Sequence, residues 1–209
     1  MALPATENFT GDDDPLTGRT GWTLLPVLAD SGRSLSGQYA DGDGTGDKGA
    51  YWDADTFADG QYSQMILAVE SGGNDRLGLI VRASTSTNVA TLVRFRGDGD
   101  FEFFYWDSGG TRNEIGVDYT PSATVAAGDI LRIEIDDATD TITLKVDYGA
   151  GFVTETTRSG ASGNASGQAG LYIVAASDGM LGDDWEGGDL VPAVSALVSG
   201  SHSLLGVGL

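Results

Sequence analysis

Apolar and polar residues alternate most strictly across Ile130-Leu131-Arg132-Ile133-Glu134-Ile135-Asp136. A period of two places Leu131, Ile133 and Ile135 on one face and Arg132, Glu134 and Asp136 on the other, the pattern of a half-buried strand. Asp137-Ala138-Thr139-Asp140 then supplies turn residues, and Ile142-Thr143-Leu144-Lys145-Val146 alternates again, so the two runs predict an antiparallel hairpin. The same period predicts strands over 61–70, 77–83, 89–96, 101–106, 151–157 and 170–175. Between them stand Ser71-Gly72-Gly73-Asn74, Gly97-Asp98-Gly99-Asp100, Ser108-Gly109-Gly110 and Tyr148-Gly149-Ala150-Gly151, rich in residues that tolerate positive φ. No window carries the i, i+3, i+4, i+7 apolar stripe of a helix, which disfavours a parallel βαβ architecture. The expectation is an all-β, two-sheet antiparallel β-sandwich.

The pattern changes after Asp189. Leu190 to Leu209 contains no acidic or basic residue apart from His202, whereas Asp183, Asp184, Glu186 and Asp189 crowd the preceding stretch. This shift divides the chain into a sandwich over 1–190 and a short apolar C-terminal tail over 191–209. Val194, Leu197, Leu204, Leu205, Val207 and Leu209 give the tail the apolar side chains of a docking or oligomerisation strand. A frayed terminus, or a last strand of the same sandwich, is the competing reading.

Composition narrows the classes. A length of 209 residues suits one sandwich, and 32 glycines against 5 prolines fit many tight turns. The absence of cysteine excludes disulfides and thiolate metal sites, and permits assembly in a reducing compartment. A formal charge of −20 repels phosphate backbones and anionic lipid, so nucleic acid is not an expected partner. No run approaches the ~18 apolar residues of a membrane span, and Met1 to Ala5 lacks the basic and apolar regions of a signal, so membrane insertion is not expected. The acidic, lysine-poor bias fits a saline habitat or a GC-rich genome equally.

Three constellations bear on chemistry. Asp41, Asp43, Thr45 and Asp47 alternate with glycines as at the start of a calcium loop, although Trp52 stands where the closing bidentate glutamate is expected. A weak calcium site competes there with a solvated Gly/Asp turn, and Asp12-Asp13-Asp14 reads as a turn. Alternation also turns Arg82, Arg94, Arg96, Glu102 and Trp106 away from the core, giving one face that mixes planar donors with an aromatic ring, as a sugar-binding surface requires. An ion-paired sheet face is the plainer reading of the same residues. Finally, His202 is the only imidazole, and without a thiol or a Gly-x-Ser-x-Gly elbow the chain shows no acyl-transfer machinery.

The runs Ala50-Tyr51-Trp52-Asp53-Ala54-Asp55-Thr56-Phe57, Gln61-Tyr62-Ser63-Gln64, Gly78-Leu79-Ile80-Val81-Arg82-Ala83, Gly128-Asp129-Ile130-Leu131-Arg132-Ile133, Gly170-Leu171-Tyr172 and Asp183-Asp184-Trp185-Glu186-Gly187-Gly188-Asp189 occur in this order. Together they resemble the concanavalin A-like lectin/glucanase superfamily, in the laminin-G-like form of bacterial and phage surface proteins. The resemblance implies a jelly roll whose first strand, near Asn8-Phe9-Thr10, lies beside its last, near Asp184-Trp185-Glu186. Its glucanase branch carries a Glu-x-Asp-x-x-Glu strand, because retaining hydrolysis needs two carboxyl groups roughly 5 Å apart. Here the run is Glu134-Ile135-Asp136-Asp137-Ala138-Thr139, and the second glutamate is missing. The expectation is therefore a non-catalytic virion structural or host-recognition protein, assembled in the host cytoplasm with other virion proteins or copies of itself. A bacterial extracellular carbohydrate-binding module is the alternative, with a surface glycan as partner, and a glycoside hydrolase ranks third.

Overall fold

A computed structural model describes residues 3–10, 15–28, 30, 32–35, 39–41, 44–160, 164–175 and 179–190. Two antiparallel sheets face each other. The first runs β13 (Phe152–Ser159), β12 (Thr141–Asp147), β11 (Ile130–Ile135), β6 (Gln61–Val69), β15 (Leu181–Asp189), β4 (Tyr39–Asp41) and β3 (Arg33–Leu35), with β1 (Ala5–Glu7) also paired to β15. The second runs β10 (Arg112–Glu114), β9 (Phe101–Trp106), β8 (Ala90–Arg96), β7 (Arg76–Ala83), β14 (Gln168–Ala175), β5 (Gly44–Trp52) and β2 (Trp22–Leu24). A single short 3-10 turn, Leu16–Gly18, accompanies them among the described residues.

The alternation read from the sequence becomes the inter-sheet core. In the β11–β12 hairpin Leu131 pairs with Val146, Ile133 with Leu144 and Ile135 with Ile142, all buried toward the second sheet. They meet Leu79, Val81, Val93, Phe95, Phe101 and Phe103 in one cluster. Each such side chain contributes about 1.5–3 kcal/mol of gross burial energy before ordering entropy is subtracted. At the other side of the core Trp22, Trp52 and Trp185 pack together, with ring centroids 4.8 Å apart for Trp22 and Trp185.

The first and last strands are neighbours, although displaced from Asn8-Phe9-Thr10: Ala5 faces Gly187 and Glu7 faces Trp185. The chain leaves the sheet at Leu190, whose N–H donates to the Gly60 carbonyl. Residues 191–209, including Val194, Leu197, Leu204, Leu205, Val207 and Leu209, lie outside the described residues.

Strict alternation fails in β7. Leu79 and Val81 face the inter-sheet core as expected, but Ala83 packs on the outer side with Ile80 and Leu92. The cause is a β-bulge: Ala83 pairs with Gln168 and Ile80 with Gly170, so β7 holds one residue more than β14 over this stretch. Arg82 takes φ +52, a left-handed conformation costly for a side chain with a Cβ, and its guanidinium turns inward.

Candidate functional site

On the outer side of the second sheet, cross-strand register sets Arg94 opposite Glu102, and Arg112 opposite Trp106. Glu102 accepts hydrogen bonds from Arg94, Arg96 and Arg112, and Arg96 also pairs with Asp98 and Asp118. Burial pulls the Glu102 carboxyl upward, but the three guanidiniums outweigh it and hold the group below the ordinary glutamate range. Arg94 also donates to the Tyr172 hydroxyl at 2.7 Å, which donates in turn to Asp47. Burial is the main reason the Tyr172 phenol ionises only well above its usual range. Arg94, Arg96, Glu102 and Trp106 therefore do share one face.

That face is largely closed. Leu25, Val27 and Leu28 lie over Tyr51, Ile80, Leu92, Phe104, Trp106 and Tyr172, forming a second apolar cluster. Leu28 folds back on Leu25 through a backbone hydrogen bond of 2.9 Å, and Leu25 is tied to Gly49. Trp106 and Arg94 are each only 4% exposed. The arginines stack on the aromatic rings: the Arg112 guanidinium lies 4.2 Å from the Phe104 ring centre. This is an ion-paired face over buried aromatics.

Arg82 is elsewhere, at the loop end of the sandwich. There the loops after β5, β7 and β13 enclose a cleft of about 310 Å³, lined by Thr56, Phe57, Ser84, Thr85, Asn164, Ser166, Gly167 and Gln168. Gln168 donates to the Asp55 carbonyl, and Ser84 accepts from the N–H groups of Ser86 and Thr87. Among the described residues no hydrogen bond engages the hydroxyls of Thr56, Thr85 and Ser166 or the carboxamide of Asn164. Among the described residues no carboxylate lines the cleft. The sequence hid this site because it is assembled from three loops, none with a motif of its own. Its one local signal is Asn164-Ala165-Ser166-Gly167-Gln168, a run of small and amide residues before a strand.

The acidic loop is divided between the sheets. Asp41 ends β4 in the first sheet and is fully buried, whereas Asp47 lies on β5 in the second, exposed and bonded to Tyr172. Asp43 and the side chain of Thr45 lie outside the described residues. Among the described residues no three acidic or histidine side chains stand close enough to hold an ion, so these supply no calcium cage. Glu134 is likewise committed, ion-paired to Arg132 and Lys145 on the outer side of the first sheet, while Asp136 caps its own turn by accepting from Thr139.

No family model matches the sequence, and no curated protein matches it. Solved structures do. The carbohydrate binding module CBM66 from Bacillus subtilis superposes with a TM-score of 0.55 at 18% identity, over 79% of this chain and 92% of its own. Lectin UEA-II complexed with galactose gives 0.57 at 10% identity, over 90% and 99%. The β-glucanase of Bacillus licheniformis gives 0.55 at 13% identity, over 91% and 100%. The fold is that of the concanavalin A-like lectin/glucanase sandwiches.

Proposed function

We propose that this lectin-like sandwich is a non-catalytic glycan-binding protein, and that the loop-end cleft takes a neutral sugar. One observation carries the reading: hydroxyl and carboxamide groups converge on a concave site of about 310 Å³, and the described residues that line it carry no charge. Sugars offer arrays of hydroxyls that such groups match in pairs, and Phe57 supplies an apolar wall. Hydrolysis needs an acid and a nucleophile or base, both carboxyl groups in most glycosidases, and the described residues of the cleft lining offer neither. The likeness to a carbohydrate binding module and a galactose-bound lectin supports the same class.

Titration with a panel of neutral oligosaccharides tests the site. Asn164→Ala and Gln168→Ala should each weaken the bound sugar about tenfold, equal to ~1.4 kcal/mol. Binding that survives both substitutions places the sugar elsewhere, and release of new reducing ends on prolonged incubation makes the protein a hydrolase.

The same proposal extends to a setting: a virion structural or host-recognition protein that displays the cleft, mounted through residues 191–209. Support comes from the uncharged alternation of that tail after a strongly acidic domain. Full-length protein carrying Leu204→Asp, Leu205→Asp and Val207→Asp should scatter light as a monomer where the unsubstituted chain is an oligomer. Equal masses for the two remove the tail from the proposal.

A further inference from the structure

The Arg82 side chain is 1% exposed, yet it is not packed among apolar groups alone. Its Nε donates to the Asp59 carbonyl at 2.9 Å, one terminal nitrogen reaches the Asn164 carbonyl and the Asp140 carboxylate, and the other reaches the Asp136 carbonyl. These acceptors belong to three separate loops: 53–60 after β5, 136–140 between β11 and β12, and the 164–167 stretch before β14. Two of those loops wall the cleft. Beside the guanidinium, the fully buried Gln61 accepts from the Arg82 N–H and donates to the carbonyls of Ala58 and Gly167.

The backbone is arranged around this contact. The bulge in β7 and the left-handed φ of Arg82 cost energy that a regular strand would not, and what they achieve is to aim the fork beneath the loops. Gly167 sits so close that a Cβ there would lie 2.5 Å from the Ala83 carbonyl oxygen. A planar guanidinium has donors in fixed directions, and here they are spent on backbone carbonyls of separate loops as well as on the carboxylates of Asp140 and, at 3.9 Å, Asp137.

We propose that Arg82 is the positioning residue of the loop-end cleft: it couples the three loops into one unit and so sets the geometry in which Asn164 and Gln168 meet a sugar, without touching the sugar itself. The proposal rests on the glycan reading of that cleft. It predicts that loosening any one of its anchors loosens the others.

Asp140→Asn on the full chain is the decisive variant, because Asp140 is an exposed turn residue whose side chain, among the described residues, is bonded to Arg82 alone. Amide hydrogen exchange should rise about tenfold not only at 136–140 but also at 58–60 and 164–167, with the β8 and β9 amides unchanged. Arg82→Gln should enlarge the effect and Arg82→Lys should restore part of it. Sugar affinity should fall by about tenfold in Arg82→Gln through lost preorganisation. Asn164→Ala, by contrast, should lower affinity without altering exchange. Exchange that rises only at 136–140, or that rises throughout the sandwich, overturns the coupling. Loops that loosen together while Asn164→Ala and Gln168→Ala leave sugar binding intact sink the glycan reading and leave the coupling standing.

Discussion

The indole N–H of Trp185 donates to the Ser63 hydroxyl at 2.9 Å, and that hydroxyl donates to the Gly170 carbonyl at 2.8 Å. Ser63 lies on β6 and Gly170 on β14, so one buried hydroxyl joins the two sheets and satisfies the fully buried indole between them. Ser63→Ala removes the relay and leaves the indole with only a 3.3 Å contact to Gly170. The expected loss is about 1–3 kcal/mol, read as a lowered denaturant midpoint with unchanged m-value.

Acid should unfold the protein through a few identifiable carboxylates. Glu155 is raised by burial, but donors from the Ser122 N–H and the hydroxyls of Tyr119, Tyr148 and Ser122 outweigh it and hold the carboxyl below its ordinary value. Glu102 behaves alike under its three arginines. A depressed folded value means that stability is fully present above the unfolded value of about 4.3 and is lost as pH falls below it. Asp183 has the opposite sign, raised by burial, and partly offsets this loss. Melting temperature should therefore hold from neutrality to about pH 4.5 and then decline, with a shallower decline in Glu155→Gln; equal slopes for both proteins contradict the assignment.

Two glycines separate steric need from mere abundance. Gly167 has φ +154 and no room for a Cβ, whereas among the described residues nothing lies within 4 Å of the Cβ position of Gly46. Gly167→Ala should cost at least about 1–3 kcal/mol, and Gly46→Ala should stay within about 0.5 kcal/mol of the parent. Thermal melts of the pair check both.

The cover over the outer face of the second sheet is testable by light. Three of the four tryptophans, Trp22, Trp52 and Trp185, stack in the inter-sheet core, and Trp106 alone belongs to the outer cluster that contains Leu25 and against which Val27 and Leu28 pack. Leu28→Asp should expose Trp106 and make about a quarter of the indole emission quenchable by acrylamide, with the remainder protected. Uniform quenching signals global unfolding instead, and no change means the residue is buried by other groups.

Legibility in the sequence followed periodicity. The β11–β12 hairpin was readable because each residue has one buried and one solvated neighbour, so the alternation is uninterrupted. β15 was not readable as a strand from its own residues. Leu181-Gly182-Asp183-Asp184-Trp185-Glu186-Gly187-Gly188-Asp189 has the composition of a turn, and it is held in the sheet by neighbours on both sides, with a register shift at Asp183 and φ +45 at Asp184. Arg82 shows the complementary failure. The pattern around it was regular, and one inserted residue sent its side chain to the opposite side of the sheet. The face of Arg94, Arg96, Glu102 and Trp106 was legible as a face, but the sequence could not say that Leu25 to Leu28 would lie across it.

Because Ala5 pairs with Gly187, the strand that opens the sandwich and the strand that closes it run side by side in opposite directions. A polypeptide entering at β1 comes back out of β15 within a few ångströms of where it went in. To any chain flanking it, the whole sandwich is a detour of almost zero net displacement, topologically equivalent to a tight turn. Such a unit can be grafted into a surface loop of an unrelated host without stretching either partner, and closing its ends with a short linker while cutting at the exposed Ser108-Gly109 turn should give a circular permutant that still folds.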